Sequence, residues 1–461
     1  MLLFDPTSAD VAGLRAQIDG DVVAPGDLNW DDARRAFNLA VDQRPDLVAI
    51  PHSIADVRAI VEYARANGLR IAPQATGHNA RPLGSLSGAI LLKTSAMRGV
   101  EIDPYRQTAR VEAGVEWREV AERISELGLM ALSGSSPDVG VVGYSLGGGV
   151  GWAARKHGLA ANSVIAIDIV TADGRLVRAD REHEPDLFWA LRGAGGNFGV
   201  VVAMEFELYP APELHGGWMI WPWERAGDVL RAWRKWSATA PEEVTTAIRI
   251  LQLPPLPDIP EPIRGRQIVA IDGVYLGPKE AADAVLAPLR ALEPEIDTFA
   301  DMPPAGLVRL HGASEHPVPG VSSSALLVDG GDEMVEAIEA VGGAGSGSPL
   351  MMVELRQLGG ALARSDDGHG ALDRVEGDFA LLALGVPMGP EITAEIEARL
   401  ARLSVAVAPY DNGRRYMGFT ERKTDTGSGY SAPTYDRLRA VKAAYDPADV
   451  FKANHAITPA T

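Results

Sequence analysis

Three stretches poor in side chains, far apart along the chain, constrain its fold more than any other feature. They are ATGHNARPLG at 75–84, GSSPDVGVVGYSLGGGVGW at 134–152 and GAGGNFGVV at 193–201. Glycine admits positive φ and close backbone approach, so the N–H groups of such turns can converge on an anion. A turn such as Gly147-Gly148-Gly149-Val150-Gly151 is therefore expected to cradle a pyrophosphate without a basic side chain. Each stretch taken alone is equally compatible with an ordinary structural turn. The rival is the nicotinamide dinucleotide fingerprint, which follows the first strand of a βαβ unit and has an acidic residue about 20 positions later. Here Gly147 and Gly149 lie behind a helix and two loops, and the nearby Asp168 falls in a hairpin strand, so that reading is set aside.

The segments around these turns alternate in period. SIADVRAIVEYARANG opens on an N-cap serine, Ser53, places Val57, Ile60, Val61 and Ala64 on one helical face and stops at Gly68. The strand LRIAPQ then delivers the chain to His78, and GAILLKTS and RQTARVEAGVEW read as two further β runs. A second helix is expected over 117–127, with Trp117, Val120, Ile124 and Leu127 at helical spacing. In SVIAIDIVTADGRLVRAD, Ile165, Ile167 and Ile169 alternate and Asp173-Gly174 supplies a hairpin turn. A buried strand runs from Val200 to Leu208, and Pro210-Ala211-Pro212 marks a boundary.

Beyond it the pattern changes to longer strands (GGWMIWPW, TTAIRILQL, RQIVAIDGVYLG, LMMVELRQLGG, FALLALGVP) and amphipathic helices near 225–237, 278–292, 331–341 and 390–403. This predicts an antiparallel sheet covered by helices on one face. The proline cluster PPLPDIPEP at 254–262 reads as a surface loop. The last segment, YDRLRAVKAAYDPADVFKANHA, is expected to be a helix without a strand partner that returns to the first half. The expected division is 1–209, 210–408 and 409–461, in line with a length that exceeds what one core usually serves.

Composition excludes several functions. With 43 basic against 62 acidic residues the net charge is −19, which argues against nucleic acid or an anionic membrane as partner. No cysteine is present, so disulfides, thiolate metal sites and cysteine nucleophiles are ruled out. No apolar run is long enough to span a bilayer, and MLLFDPTSAD lacks a basic n-region, so a cytoplasmic protein without a signal peptide is expected.

At this point four ordered stretches carry a family resemblance over nearly the whole chain: GHNARPLG…GAILLKTSAMRGVEID, SPDVGVVGYSLGGGVGWAARKHGLAANSVIAIDIVTADG, DLFWALRGAGGNFGVVVAMEFELYP and YDPADVFKANHAITP. Together the sequence resembles the FAD-linked oxidoreductases of the vanillyl-alcohol-oxidase and p-cresol-methylhydroxylase (PCMH) fold, in the berberine-bridge-enzyme-like branch. The resemblance implies an α+β protein with a two-part PCMH-type FAD-binding domain and a substrate domain built on an antiparallel sheet. It implies that FAD meets Gln74, Ala75, Thr76, Gly77, His78, Asn79 and Ala80 in the first turn. The second turn contributes Ser136, Asp138, Val139, Gly140, Gly143, Tyr144, Gly147, Gly148, Gly149, Gly151 and Trp152, and the third Gly199, Val200 and Val201.

In that family the histidine of the first turn bonds to the 8α-methyl of the flavin, and the matching residue is His78. A deprotonated imidazole is a competent nucleophile near neutral pH. The alternatives are a contact without a bond, or a histidine that only orders its loop. Some relatives add a link through a cysteine; its match is Ser136, so a single histidyl link is the most this chain can form.

The resemblance further implies a small-molecule substrate, hydride transfer from a C–H next to oxygen or nitrogen, and reoxidation by molecular oxygen. A dehydrogenase using another acceptor, or a flavin-binding protein without turnover, remains the alternative. Tyr416 in RRYMGFTE matches the family's candidate base, with Arg414 and Arg415 expected to lower its pKa, although Gly418 replaces the asparagine that usually follows. Asn454 in FKANHAI matches a residue that reaches flavin or substrate; otherwise it ends a helix. From strand alternation alone, Met352, Glu354 and Arg356 share a face, and the two charges either pair structurally or meet substrate. Arg249 and His311 are candidates to join them.

Overall fold

The computed structural model describes residues 11–460. Residues 1–10, on which the expectation about a signal peptide rests, lie outside the described residues. The first sheet has four strands in the order Asp21–Val23, Leu47–Ile50, Ala89–Lys93, Arg70–Gln74, the last three parallel. Its helix Ile54–Ala66 starts where Ser53 and Asp56 cap each other's backbone N–H groups, and it buries Val57, Ile60, Val61 and Ala64 against the sheet.

The second sheet is antiparallel, in the order Val100–Asp103, Thr108–Glu112, Val200–Glu207, Val164–Val170, Leu176–Asp180, and contains the hairpin expected at Asp173-Gly174. The central strand Val200–Glu207 joins the two layers. Val200 is buried in the core shared with the first sheet and Val201 in that of the second, as alternation requires.

The third sheet has eight strands, all antiparallel. Its middle runs Leu214–Pro222, Gln267–Leu276, Val244–Gln252, Met352–Gln357, Phe379–Gly385, Val321–Leu327. One face packs on helices Ala226–Ser237, Lys279–Arg290, Gly331–Gly342 and Pro390–Val407, through Trp221, Trp233, Ile250, Val353, Ile338 and Leu400 among others. The sequence patterning missed Val321–Leu327, because Ser322, Ser323 and Ser324 interrupt the apolar alternation. The opposite face turns towards the glycine-rich loops: Leu214, Ala247 and Val274 bury against Met130, Leu132, Trp152 and Ala153.

The C-terminal helix is shorter than expected. It spans Ala432–Tyr445 and stops because Pro447 disfavours helical geometry at Asp446. The chain beyond it is extended, and Phe451 forms a parallel bridge with Ile71 in the first sheet, so the segment does find a strand partner. Among the described residues no helix is long and apolar enough to cross a membrane.

Candidate flavin and substrate site

The strand Arg70–Gln74 ends in the turn that carries His78, and three groups hold the imidazole. Phe37 stacks on it with ring centroids 3.7 Å apart, and Thr76 Oγ1 lies 2.8 Å from Nδ1. Asp138 Oδ2 lies 3.2 Å from Nε2, at ion-pair distance but off the line of a good hydrogen bond. Burial opposes a charge on Asp138, yet His78 and the Ser136 hydroxyl, 2.8 Å away, hold its carboxyl below the usual carboxylate range. Gly140 brings the two turns together: a side chain there would press on Ala75 Cβ at 3.1 Å. The C-terminal segment completes the turn, with Asn454 Nδ2 donating to the Asn79 carbonyl.

The backbone of this turn is suited to an anion. Among the described residues no N–H from Ala75 through Asn79 donates to a protein acceptor. Beside it a cleft of about 290 Å³ is lined by Phe37, Ala75, Thr76 and Gly114, and its charged walls carry Arg35, Lys93, Arg98 and Arg118 against Asp32, Glu116, Asp138 and Glu315, with the arginines paired to acids. Burial pushes the Lys93 amine below its ordinary value, with Arg35 adding repulsion; an anion between them would relieve both.

The glycines of 147–151 behave differently from the expected cradle. Gly147 and Gly148 donate to the carbonyls of Gly143 and Ser145 at 3.2 and 3.1 Å, and Gly149 donates to the Tyr416 hydroxyl at 2.9 Å. The amides of 147–149 are thus engaged within the protein, whereas those of 75–79 are free to meet an anion. Packing explains the glycines instead. Gly149 has φ +76°, and a Cβ there would come within 2.6 Å of both Ala160 Cβ and Tyr144 Cε1; one on Gly151 would collide with the Ser133 carbonyl. Gly143, by contrast, has open space at its Cα.

Tyr416 is buried, and burial raises its pKa, with the N–H groups of Gly149 and Val150 and the charge of Arg356 only partly offsetting this. The expected assistance from Arg414 and Arg415 is absent. Arg414 Nη1 donates to the Tyr430 carbonyl and Arg415 pairs with Asp411 at 2.9 Å. Tyr416 is therefore a phenol, not a phenolate, at neutral pH. Tyr144, partly buried next to it, is likewise raised by burial, and its buried hydroxyl has no partner among the described residues.

Strand register assembles the charged candidates. Arg249 is the cross-strand partner of Glu354, and Ala247 that of both Arg356 and Asp272, so all these side chains share the face turned to the glycine loops. They form a buried chain. Arg249 Nε donates to Asp272 Oδ1 at 3.0 Å, His311 Nδ1 lies 2.7 Å from Asp272 Oδ2, His311 Nε2 lies 3.0 Å from Glu354 Oε2, and Arg356 Nε donates to Glu354 Oε1 at 2.9 Å. Burial alone would raise Glu354, but Arg356, His311 and Arg249 hold its carboxyl well below the usual range. Glu354 and Arg356 thus pair with each other, buried on the sheet face that meets the glycine loops. Trp218 stacks over Arg249, with the guanidinium carbon 4.1 Å from its ring centre.

Sequence reading missed Phe37, Lys93, Asp272 and His455. Asp272 could have been found, since a lone carboxylate in the apolar run QIVAIDGVYL needs a buried partner. Phe37 carries no local signal; only the stacking identifies it. His455, whose Nε2 is buried without a partner, is kept below its ordinary pKa by burial despite hydrogen bonds near Met417 and Thr420.

A dinucleotide with an anionic middle and a ring-bearing end fits these features: free amides at 75–79, the Lys93 amine at the cleft, and, among the described residues, the unpartnered polar atoms Gln74 Nε2, Asn79 Oδ1, Tyr144 OH and Trp152 Nε1 around the turns. The class so defined is a flavoprotein with a PCMH-type FAD-binding domain. Comparison with known proteins agrees. The FAD binding domain family matches residues 45–180, and the berberine and berberine-like family matches 421–458. (R)-6-hydroxynicotine oxidase of Paenarthrobacter nicotinovorans is 30% identical across 96% of this chain and 97% of its own. The wild-type berberine-bridge-enzyme-like protein 1 of Physcomitrella patens superposes with a TM-score of 0.85 at 20% identity, over 98% of this chain and 99% of that one. Glucooligosaccharide oxidase of Acremonium strictum, a protein with 6-S-cysteinyl, 8α-N1-histidyl FAD, superposes with a TM-score of 0.83 at 23% identity, over 98% and 99%. The chain belongs to the berberine-like FAD-linked oxidoreductases, and it is an FAD-dependent oxidoreductase.

Proposed function

We propose that this protein is an oxidase that removes a hydride from a carbon bearing a hydroxyl or amine on a small metabolite, sugar or amine, and that molecular oxygen takes the electrons. The observation that supports it best is the placement of the Glu354–Arg356 face opposite the glycine loop that Tyr416 anchors through Gly149. FAD, when bound, supplies the hydride acceptor. The chain supplies position and proton handling. Glu354, ionised beside Arg356 and Arg249, is the carboxylate that positions Arg356 and His311 on the sheet face, and His311 links it to Asp272. Tyr416, kept as a phenol, offers a hydrogen bond and does not act as the initial base. Residues 1–209 with the returning 409–461 hold the cofactor in this reading, and 210–408 hold the substrate.

His78 is the proposed point of attachment. Asp138 beside Nε2 and Thr76 beside Nδ1 orient the ring, and one imidazole nitrogen would replace a hydrogen of the 8α-methyl, the methyl losing its proton and the flavin taking up two electrons that oxygen then removes. Reduction of the bound flavin by alcohol and amine donors without air, followed by immediate return of the yellow colour on aeration, is expected; slow return that an artificial acceptor accelerates would mark a dehydrogenase instead. Denatured protein should carry flavin fluorescence on its gel band at acid pH, and His78→Ala should lose it. A fluorescent band in His78→Ala would refute the tether.

A further inference from the structure

Resting on the reading of the sheet face as the substrate side, we propose that the substrate of this enzyme carries a carboxylate and that the terminal nitrogens of Arg356 receive it. Two carboxylates, Asp272 and Glu354, serve three donor side chains on this face. Asp272 is taken by Arg249 and His311. Glu354 is taken by His311 and by the Nε of Arg356. Glu354 Oε2 faces His311 Nε2 rather than the outer edge of Arg356, and among the described residues neither Nη1 nor Nη2 of Arg356 donates to a protein acceptor. Arg249 Nη2 is buried without a partner in the same cluster.

The Arg356 side chain is only 6% exposed, yet its two outer nitrogens, unlike Arg249 Nη2, keep some accessible surface, so they are within reach of a ligand entering this face. The geometry favours a planar anion. Arg356 is flanked by Trp152 and Phe419, each ring centre 5.4 Å from the guanidinium carbon, and Glu354 fixes its inner edge. A guanidinium held in this way offers its two outer N–H groups as a fork, which a carboxylate fills with two parallel bonds and a single hydroxyl cannot. The position is on the reaction side, because the charge of Arg356 acts on both Tyr144 and Tyr416 at the glycine loop.

The test is calorimetric titration of the purified holoprotein with two matched pairs, benzoate against benzamide and glucuronate against glucose. The carboxylate of at least one pair should bind about tenfold or more tightly than its neutral match. That ratio should fall to about one in Arg356→Gln. Because this variant leaves Glu354 short of a partner, Arg356→Gln/Glu354→Gln is measured beside it and should also lack the preference. Equal binding within both pairs, no heat from any probe, or a preference that survives in both variants overturns the proposal. Failure of the flavin reading is separately visible: a colourless protein that still prefers the carboxylate refutes that reading alone, and a yellow one without preference refutes this inference alone.

Discussion

Lys442 and Asp446 offer a quantitative test of how the C-terminal segment is held in the site. Both side chains are 0% exposed, and their charged atoms stand 2.5 Å apart, one helical turn from each other. Lys442 Nζ also donates to the Asn197 carbonyl at 2.8 Å and lies 3.1 Å from Asp449. Asp446 accepts the N–H groups of Val450 and Phe451 at 2.8 and 2.9 Å, which turns the chain into its bridge with Ile71 and carries Asn454 to Asn79. Removing one partner of a buried pair costs ~3–5 kcal/mol. In Lys442→Met, Asp446 keeps two backbone donors, so the cost should fall near the lower end, about 3 kcal/mol. Asp446→Asn should cost a similar amount. The double variant buries no unpaired charge, and its cost should fall short of the sum of the singles by at least ~1.5 kcal/mol. Urea unfolding followed by far-ultraviolet circular dichroism, run as a double-mutant cycle, measures each value. Lys442→Met within ~0.5 kcal/mol of the parent, or costs that simply add, would refute the coupling.

Gly149→Ala should destabilise by about 2–4 kcal/mol, from positive φ and overlap with Tyr144 and Ala160, with a matching loss of bound flavin in the purified protein. On the proposed tether, Asp138→Asn removes the carboxylate beside His78 Nε2, so more flavin should be released into the supernatant on acid precipitation than from the parent. Acid should destabilise the fold with a definite sign. Asp138 and Glu354 have depressed folded values, so their contribution is fully present above the unfolded carboxyl value of about 4 and drains away as pH falls towards the folded one. Unfolding midpoints measured down a pH series should show this fall, with a shallower one in Glu354→Gln.

The sequence by itself determined everything that depends on neighbours along the chain. Ser53 and Asp56 set a helix start, Asp173-Gly174 closed a hairpin, alternation put Glu354 and Arg356 on one face, and the absence of cysteine excluded a cysteinyl link to the flavin. Local hydrogen bonds and period suffice for these, because the interacting groups are a few residues apart. The tertiary structure decided the rest. The Gly149 amide is taken by the Tyr416 hydroxyl from 267 positions away, which no local pattern announces. The pKa of Tyr416 follows from burial and from Arg356 on another strand, not from its neighbours Arg414 and Arg415. The Arg249–Asp272–His311–Glu354–Arg356 chain draws on three strands and a loop, and only their register gives its unequal count of donors and carboxylates. Charge and hydrogen bonding act through space, and a sequence orders residues only along the chain.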